Sequence, residues 1–239
     1  MNKWFRLARL AVLGAVSVAT VGQAAAETVR RYNYATNSFE TVDTARAQRR
    51  TLQRRPDARF RRTEVRIRTD QPAGTIIVDS QNRYLYFVEG KGMATRYGVG
   101  VGREGFGWSG QMKVGRKAEW PGWTPPAQML ARERAKGHNI PAYMKGGPGN
   151  PLGARAMYLY RGGRDSLFRI HGTNQPWTIG HRMSSGCIRM MNEDVEHLYD
   201  RVPTGTKVVV IAPDGTGAEN VYADLGPVQH NILDALFGG

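Results

Sequence analysis

Short apolar runs, in places alternating with polar residues, recur between turn residues through the middle of the chain. Thr75-Ile76-Ile77-Val78-Asp79, Arg83-Tyr84-Leu85-Tyr86-Phe87-Val88 and residues 94–101 each read as a strand. Ser80-Gln81-Asn82 and Glu89-Gly90-Lys91-Gly92 separate them as tight turns, so the three form an antiparallel meander. Residues 111–118 alternate again. Ala156-Met157-Tyr158-Leu159-Tyr160, Leu167-Phe168-Arg169-Ile170 and residues 207–212 are apolar enough for buried strands. Helical signals are fewer. Thr124-Pro125-Pro126 opens a helix that good helix formers continue from 127 to 135. Asn192 reads as the N-cap of a second, with Glu193 and Asp194 in its first turn and Val195, Leu198 and Tyr199 on its apolar face. Strands outnumber helices, which predicts a mostly β fold: a mixed β sandwich or partly closed barrel with one or two helices, occupying residues 71–213. Residues 138–155, rich in Gly and Pro, interrupt the pattern. A long irregular loop inside a compact domain is commonly functional, and this one is expected to wall or cover a cleft.

The flanks break the alternation differently. Lys3, Arg6 and Arg9 precede an apolar run from 10 to 21 and then Ala24-Ala25-Ala26. This is the pattern of a secretory signal over residues 1–26, with an uncleaved N-terminal anchor as the other reading. The formal net charge is +14, and arginines crowd residues 27–70, among them Arg30-Arg31, Arg49-Arg50, Arg54-Arg55 and Arg61-Arg62. That segment reads as a basic disordered arm suited to a polyanion. With export expected, the polyanion is an anionic envelope polymer or lipid, not nucleic acid; a solvated spacer is the plainer alternative. Residues 214–239 read as a tail with one short helix near 231–236. No phosphate-binding loop, dinucleotide fingerprint or metal-spaced cluster occurs, so neither cofactor nor metal is expected.

The chain contains one cysteine, Cys187. In an oxidising compartment structural cysteines come in pairs, so a single one is a candidate for chemistry. It stands in Ser184-Ser185-Gly186-Cys187-Ile188-Arg189, downstream of a strand ending at His171. A free thiol is only a few per cent thiolate at neutral pH, and an imidazole can take its proton. Arg189 and the following helix N-terminus would favour the anion. Gly186 would let backbone N–H groups turn inward as an oxyanion hole. Cys187 is thus the candidate nucleophile and His171 the candidate base, with His181 and His138 as rivals. A buried structural cysteine beside a satisfied histidine is the alternative.

The run His171-Gly172-Thr173, Gly180, Ser184-x-Gly186-Cys187-Ile188-Arg189-Met190 resembles the signature of the YkuD-type L,D-transpeptidases, bacterial cell-wall cross-linking enzymes. The resemblance covers the second half of the chain well and residues 72–116 loosely. It implies the mixed β catalytic domain of that family, with the Gly172 carbonyl orienting His171. It also implies acyl transfer on peptidoglycan stem peptides through a thioester, in the periplasm or cell envelope. The product would be a 3→3 cross-link, an attached outer-membrane protein or, with water as acceptor, a trimmed stem. Thr173, Ser185 and Arg189 become candidate substrate contacts, Arg189 with support of the loop as its other role. Many members have histidine where this chain has Ser185, a departure that bears on substrate or oxyanion contacts more than on proton abstraction. A non-catalytic envelope-binding protein and a cell-wall cysteine peptidase are the other readings.

Overall fold

The alternating stretches line up in one curled ten-stranded sheet. A computed structural model of the chain describes residues 28–33, 38–43, 55–104, 106–135, 137 and 140–228. The expected signal segment, His138 and the short helix near 231–236 lie outside the described residues.

The strands are β1 (Thr28–Asn33), β2 (Ser38–Asp43), β3 (Thr63–Arg68), β4 (Ile76–Asp79), β5 (Tyr84–Gly90), β6 (Met93–Gly98) and β7 (Val101–Gly102). Then come β8 (Gly110–Glu119), β9 (Arg155–Arg161), β10 (Arg164–His171), β11 (Arg182–Ser184), β12 (Ile188–Arg189), β13 (Lys207–Val210) and β14 (Ala223–Pro227). Helix α1 spans Ala127–Ala135 and α2 spans Asn192–Arg201. The main sheet runs β12-β10-β9-β8-β13-β4-β5-β6-β3-β14. The expected meander is β4-β5-β6, antiparallel throughout. β13 enters beside β4 in parallel and beside β8 antiparallel, so it joins the two halves of the sheet.

Both faces of the central strands are covered. Ile76 and Val78 belong to the larger core with Leu85, Phe87, Met157 and Ile170, while Ile77 belongs to the other with Tyr86, Val88 and Tyr222. Period-two geometry sends successive residues to opposite faces, which explains why these strands read as unbroken apolar runs. Helix α2 lays Val195 and Leu198 on the larger core, with Tyr199 packed at its edge. Among the described residues no helix is long and apolar enough to cross a membrane.

The fold extends beyond both expected boundaries. Within the segment read as a disordered arm, β1 and β2 form an antiparallel hairpin, and β3 pairs with β6 in the main sheet. Val65 and Ile67 are buried between exposed Glu64, Arg66 and Arg68, so a strand alternation lay beneath the charge. Within the segment read as a tail, β14 pairs with β3 at the sheet edge. Phe60 fixes the entry to β3. A methyl group added to Gly98 would stand 2.4 Å from its Cβ, and one added to Gly180 would stand 2.2 Å from its ring. Those two glycines are the space the ring fills. Phe60→Ala should therefore destabilise the domain by about 3–5 kcal/mol, the usual cost of deleting a buried phenyl ring. Urea denaturation checks this, and an unchanged midpoint would mean residues 55–62 are only an appendage.

Candidate active site

Strand register brings the predicted residues together. β10 and β12 pair in parallel, Ile170 opposite Ile188 and His171 opposite Arg189. Ile170 and Ile188 point into the larger core. By alternation Arg169, His171 and Arg189 share the other face. Cys187 lies in the turn just before β12, where its sulfur meets the Arg169 backbone N–H, two residues before His171 on β10.

His171 is 2% exposed. Its Nδ1 lies 2.6 Å from the Gly172 carbonyl oxygen. A carbonyl can only accept, so Nδ1 carries the hydrogen, and in the neutral ring Nε2 keeps a free lone pair. Burial, followed by the positive field of Arg189, pulls the imidazole pKa down to about 3. The ring is a neutral base throughout the physiological range.

Cys187 is half-buried. Burial pushes its thiol pKa up, against a hydrogen bond from the Arg169 backbone and the charges of Arg169 and Arg189. This corrects the expectation of a stabilised thiolate: desolvation outweighs the cations and the resting pair is thiol and imidazole.

The turn carrying the sulfur is held by Ser184, which the sequence reading passed over. Its Oγ donates to the Cys187 carbonyl at 2.6 Å and accepts from the Gly186 N–H at 3.1 Å. Gly186 was the expected oxyanion donor, but its N–H is used within the turn. Its contribution is conformational, with φ +107° and room only for a hydrogen: an added Cβ would stand 2.5 Å from the Phe168 ring. Trp108 pins the same turn, donating from Nε1 to the Gly186 carbonyl at 3.0 Å and stacking on Phe168 at 4.8 Å. Nothing in a tryptophan between glycines and serine announces that contact from sequence.

The remaining candidates separate by burial. Thr173 is buried, accepting from Gln175 N at its hydroxyl and donating its own N–H to Asn192 Oδ1, so it is scaffold. Arg189 is 2% exposed beside His171, and its charge acts on that ring. Ser185 is exposed at the turn. His181 is exposed and lines a separate surface hollow of about 360 Å³ with Phe60 and Trp177. The described part of the expected wall, from 140 onward, is built on Asn150, whose Nδ2 donates to the Pro121 and Lys145 carbonyls. Asn174 Nδ2 ties it to the site by donating to the Gly149 carbonyl.

Asn192 also differs from its expected part. Helix α2 begins after Met191 with no side-chain cap bond, because Asn192 Oδ1 is engaged elsewhere. It accepts from Ala154 N and Thr173 N, both at 3.1 Å, clamping β9 to the segment after His171. Asn192→Ala would orphan two donors, at about 1–3 kcal/mol each. The expected result is a loss of about 2–6 kcal/mol in urea denaturation together with a slower reaction at Cys187; neutrality in both would refute the clamp.

A thiol, a buried neutral imidazole on the neighbouring strand and a carbonyl fixing its tautomer are the groups that cysteine-dependent acyl transfer calls for. Among the described residues no cluster of three or more His, Cys, Asp or Glu is placed to hold a metal.

Comparison with known proteins gives three findings. The family model for the YkuD L,D-transpeptidase catalytic domain matches residues 73–210. The probable L,D-transpeptidase YbiS of Escherichia coli K12 is 36% identical over 168 residues, covering 65% of this chain and 53% of the relative. The probable L,D-transpeptidase YcfS of the same strain is 36% identical over 172 residues, covering 70% and 53%. The chain thus spans about half the length of the curated relatives it matches. A solved chain from Brucella melitensis, described as a probable carnitine operon oxidoreductase, is 47% identical and covers 69% of this chain and 99% of its own. Its TM-score is 0.45, a superposition too loose to bear on function.

Proposed function

The chain belongs to the YkuD family of L,D-transpeptidase catalytic domains, and from that premise we propose that Cys187 is the nucleophile of a thioester acyl transfer on peptidoglycan stem peptides. The observation that carries the reading is the His171 Nδ1 bond to the Gly172 carbonyl, which leaves Nε2 basic on the strand whose Arg169 N–H meets the Cys187 sulfur. Nε2 takes the thiol proton as Sγ attacks the carbonyl of the third stem residue, a diamino acid. The S–C bond forms, the amide C–N bond breaks, and the same proton goes to the departing amine of D-alanine. An acceptor amine then resolves the thioester. Because the Gly186 N–H is already used, the backbone N–H of Cys187 is the donor assigned to the oxyanion.

The acceptor proposed is a second stem peptide, giving a 3→3 cross-link. An outer-membrane protein or water in its place would make the enzyme an anchoring ligase or a carboxypeptidase. The working place proposed is the cell envelope, where the arginines of residues 27–54 hold the enzyme to an anionic polymer or lipid in a salt-dependent way. Trimming that arm must stop before Phe60 and β3, which belong to the domain. Incubation with a disaccharide tetrapeptide and mass spectrometry of the protein is the direct test. The expected result is an acyl adduct on Cys187 minus D-alanine, followed by cross-linked muropeptides. A chain that stays unmodified while folded would instead be a binding protein.

A further inference from the structure

One row of side chains runs outward from the sulfur across three strands, β10, β9 and β8. Cys187 lies beside Arg169, Arg169 pairs with Tyr158 of β9, and Tyr158 pairs with Arg116 of β8. Both arginines lie on the tyrosine ring, Arg116 at 3.5 Å and Arg169 at 4.3 Å from its centroid.

Two irregularities in the strands produce this row. In β8 the register shifts between Val114 and Arg116, with Gly115 as the extra residue. Without it Gly115 would oppose Tyr158 and Arg116 would point into the opposite face; the bulge re-aims the arginine. Glycine is what fits there, since an added Cβ would stand 2.2 Å from the Tyr160 ring. In β10 a second shift between Asp165 and Arg169 brings Arg169 opposite the same tyrosine. The two arginines then differ. Arg169 is neutralised by a two-pronged bond to Asp165, at 2.7 and 2.9 Å. Arg116 is exposed and forms no ion pair among the described residues. A guanidinium lying flat on a ring keeps its in-plane N–H groups turned outward, the arrangement that grips a carboxylate with two parallel bonds.

We propose that Arg116 selects the acyl donor by taking the second carboxylate of the diamino acid whose α-carbonyl is attacked at Cys187. This rests on the stem-peptide reading given above. Tyr158 stands two strand spacings from the sulfur, about 10 Å, and Arg116 leans back over it. That span suits an extended side chain ending in a carboxylate. A lysine-like side chain, ending only in an ammonium group, would meet the charge of Arg116 instead, so the residue also works by exclusion. Tyr158 is a positioning residue that holds the guanidinium flat.

The test uses three tetrapeptide donors that differ at the third residue: a diamino acid with a free second carboxylate, the same with that carboxylate amidated, and lysine. Thioester formation on Cys187 is followed by mass spectrometry. The wild type should favour the free acid by about 10- to 100-fold in kcat/KM, in keeping with a charge-assisted bond. Arg116→Gln should remove most of that preference, chiefly through KM, and Arg116→Lys should recover part of it. Iodoacetamide alkylation of Cys187 at the wild-type rate shows that the variants keep the site intact. A preference that persists in Arg116→Gln overturns the assignment to Arg116. A wild type acylated equally by all three donors overturns the carboxylate subsite while leaving the transpeptidase reading standing. A wild type acylated by none overturns both.

Discussion

Cys187→Ala should reduce turnover on stem peptides to background and leave the fold standing. The thiol is half-buried and makes no contribution to either core cluster. The turn around it is held by other groups: Ser184 Oγ to the Cys187 carbonyl, and Trp108 to the Gly186 carbonyl. Alanine keeps every one of those backbone bonds. The urea midpoint should therefore move little while acylation disappears. Turnover retained by the variant would remove the sulfur from the reaction. A collapsed fold would assign it to packing.

His171→Gln should lower acylation by at least about 100-fold, the usual scale for a general base. Glutamine can still donate to the Gly172 carbonyl, so the variant tests the base and not the strand. The pH dependence separates a buried neutral ring from an ordinary histidine. The folded imidazole protonates near 3, against an ordinary value of 6.5. The neutral base should persist in mild acid, so the acylation rate should stay flat from pH 7 to about 4.5. A limb falling below pH 6.5 would contradict the burial. Stability has the same origin. Between 6.5 and 3 the unfolded chain binds a proton at this position that the folded chain does not, so stability falls as pH drops through that window. The contribution is complete above it, on the order of 3–5 kcal/mol, and should appear as a pH-dependent difference between wild type and His171→Gln, which has no group titrating there. Cys187 behaves in the opposite direction. Its raised pKa predicts alkylation by iodoacetamide that climbs at higher pH than for an ordinary cysteine.

Much of the fold was legible because each central strand has its own period and its own turn. The meander, β8, β9 and both helices follow from residues close in sequence. β3 was not, because its two buried residues, Val65 and Ile67, are outvoted in any window by the arginines around them. Nor was β14, a strand with no apolar run, which exists because β3 offers it an edge. At the site, chemistry singled out Cys187 and His171, and the family pattern the Gly172 carbonyl, as the groups whose roles are proposed above. What stayed hidden depended on partners far along the chain. Asn192 looks like a helix cap from its neighbours, yet bonds to Ala154 and Thr173. Gly186 looks like an open donor until Ser184 is seen to occupy it. Arg116 reaches the Tyr158 ring only through a bulge, and bulges leave no period to detect.

The place of β13 between β8 and β4 bears on when the molecule can fold at all. A nascent chain that has not yet reached Lys207 holds two separate half-sheets, β12-β10-β9-β8 on one side and β4-β5-β6-β3 on the other, with no seam between them. Val208 must find Ile76, 132 positions earlier, before the halves close. Closing the sheet is therefore a long-range step that waits on β13, and a chain cut short before Lys207 should not complete it.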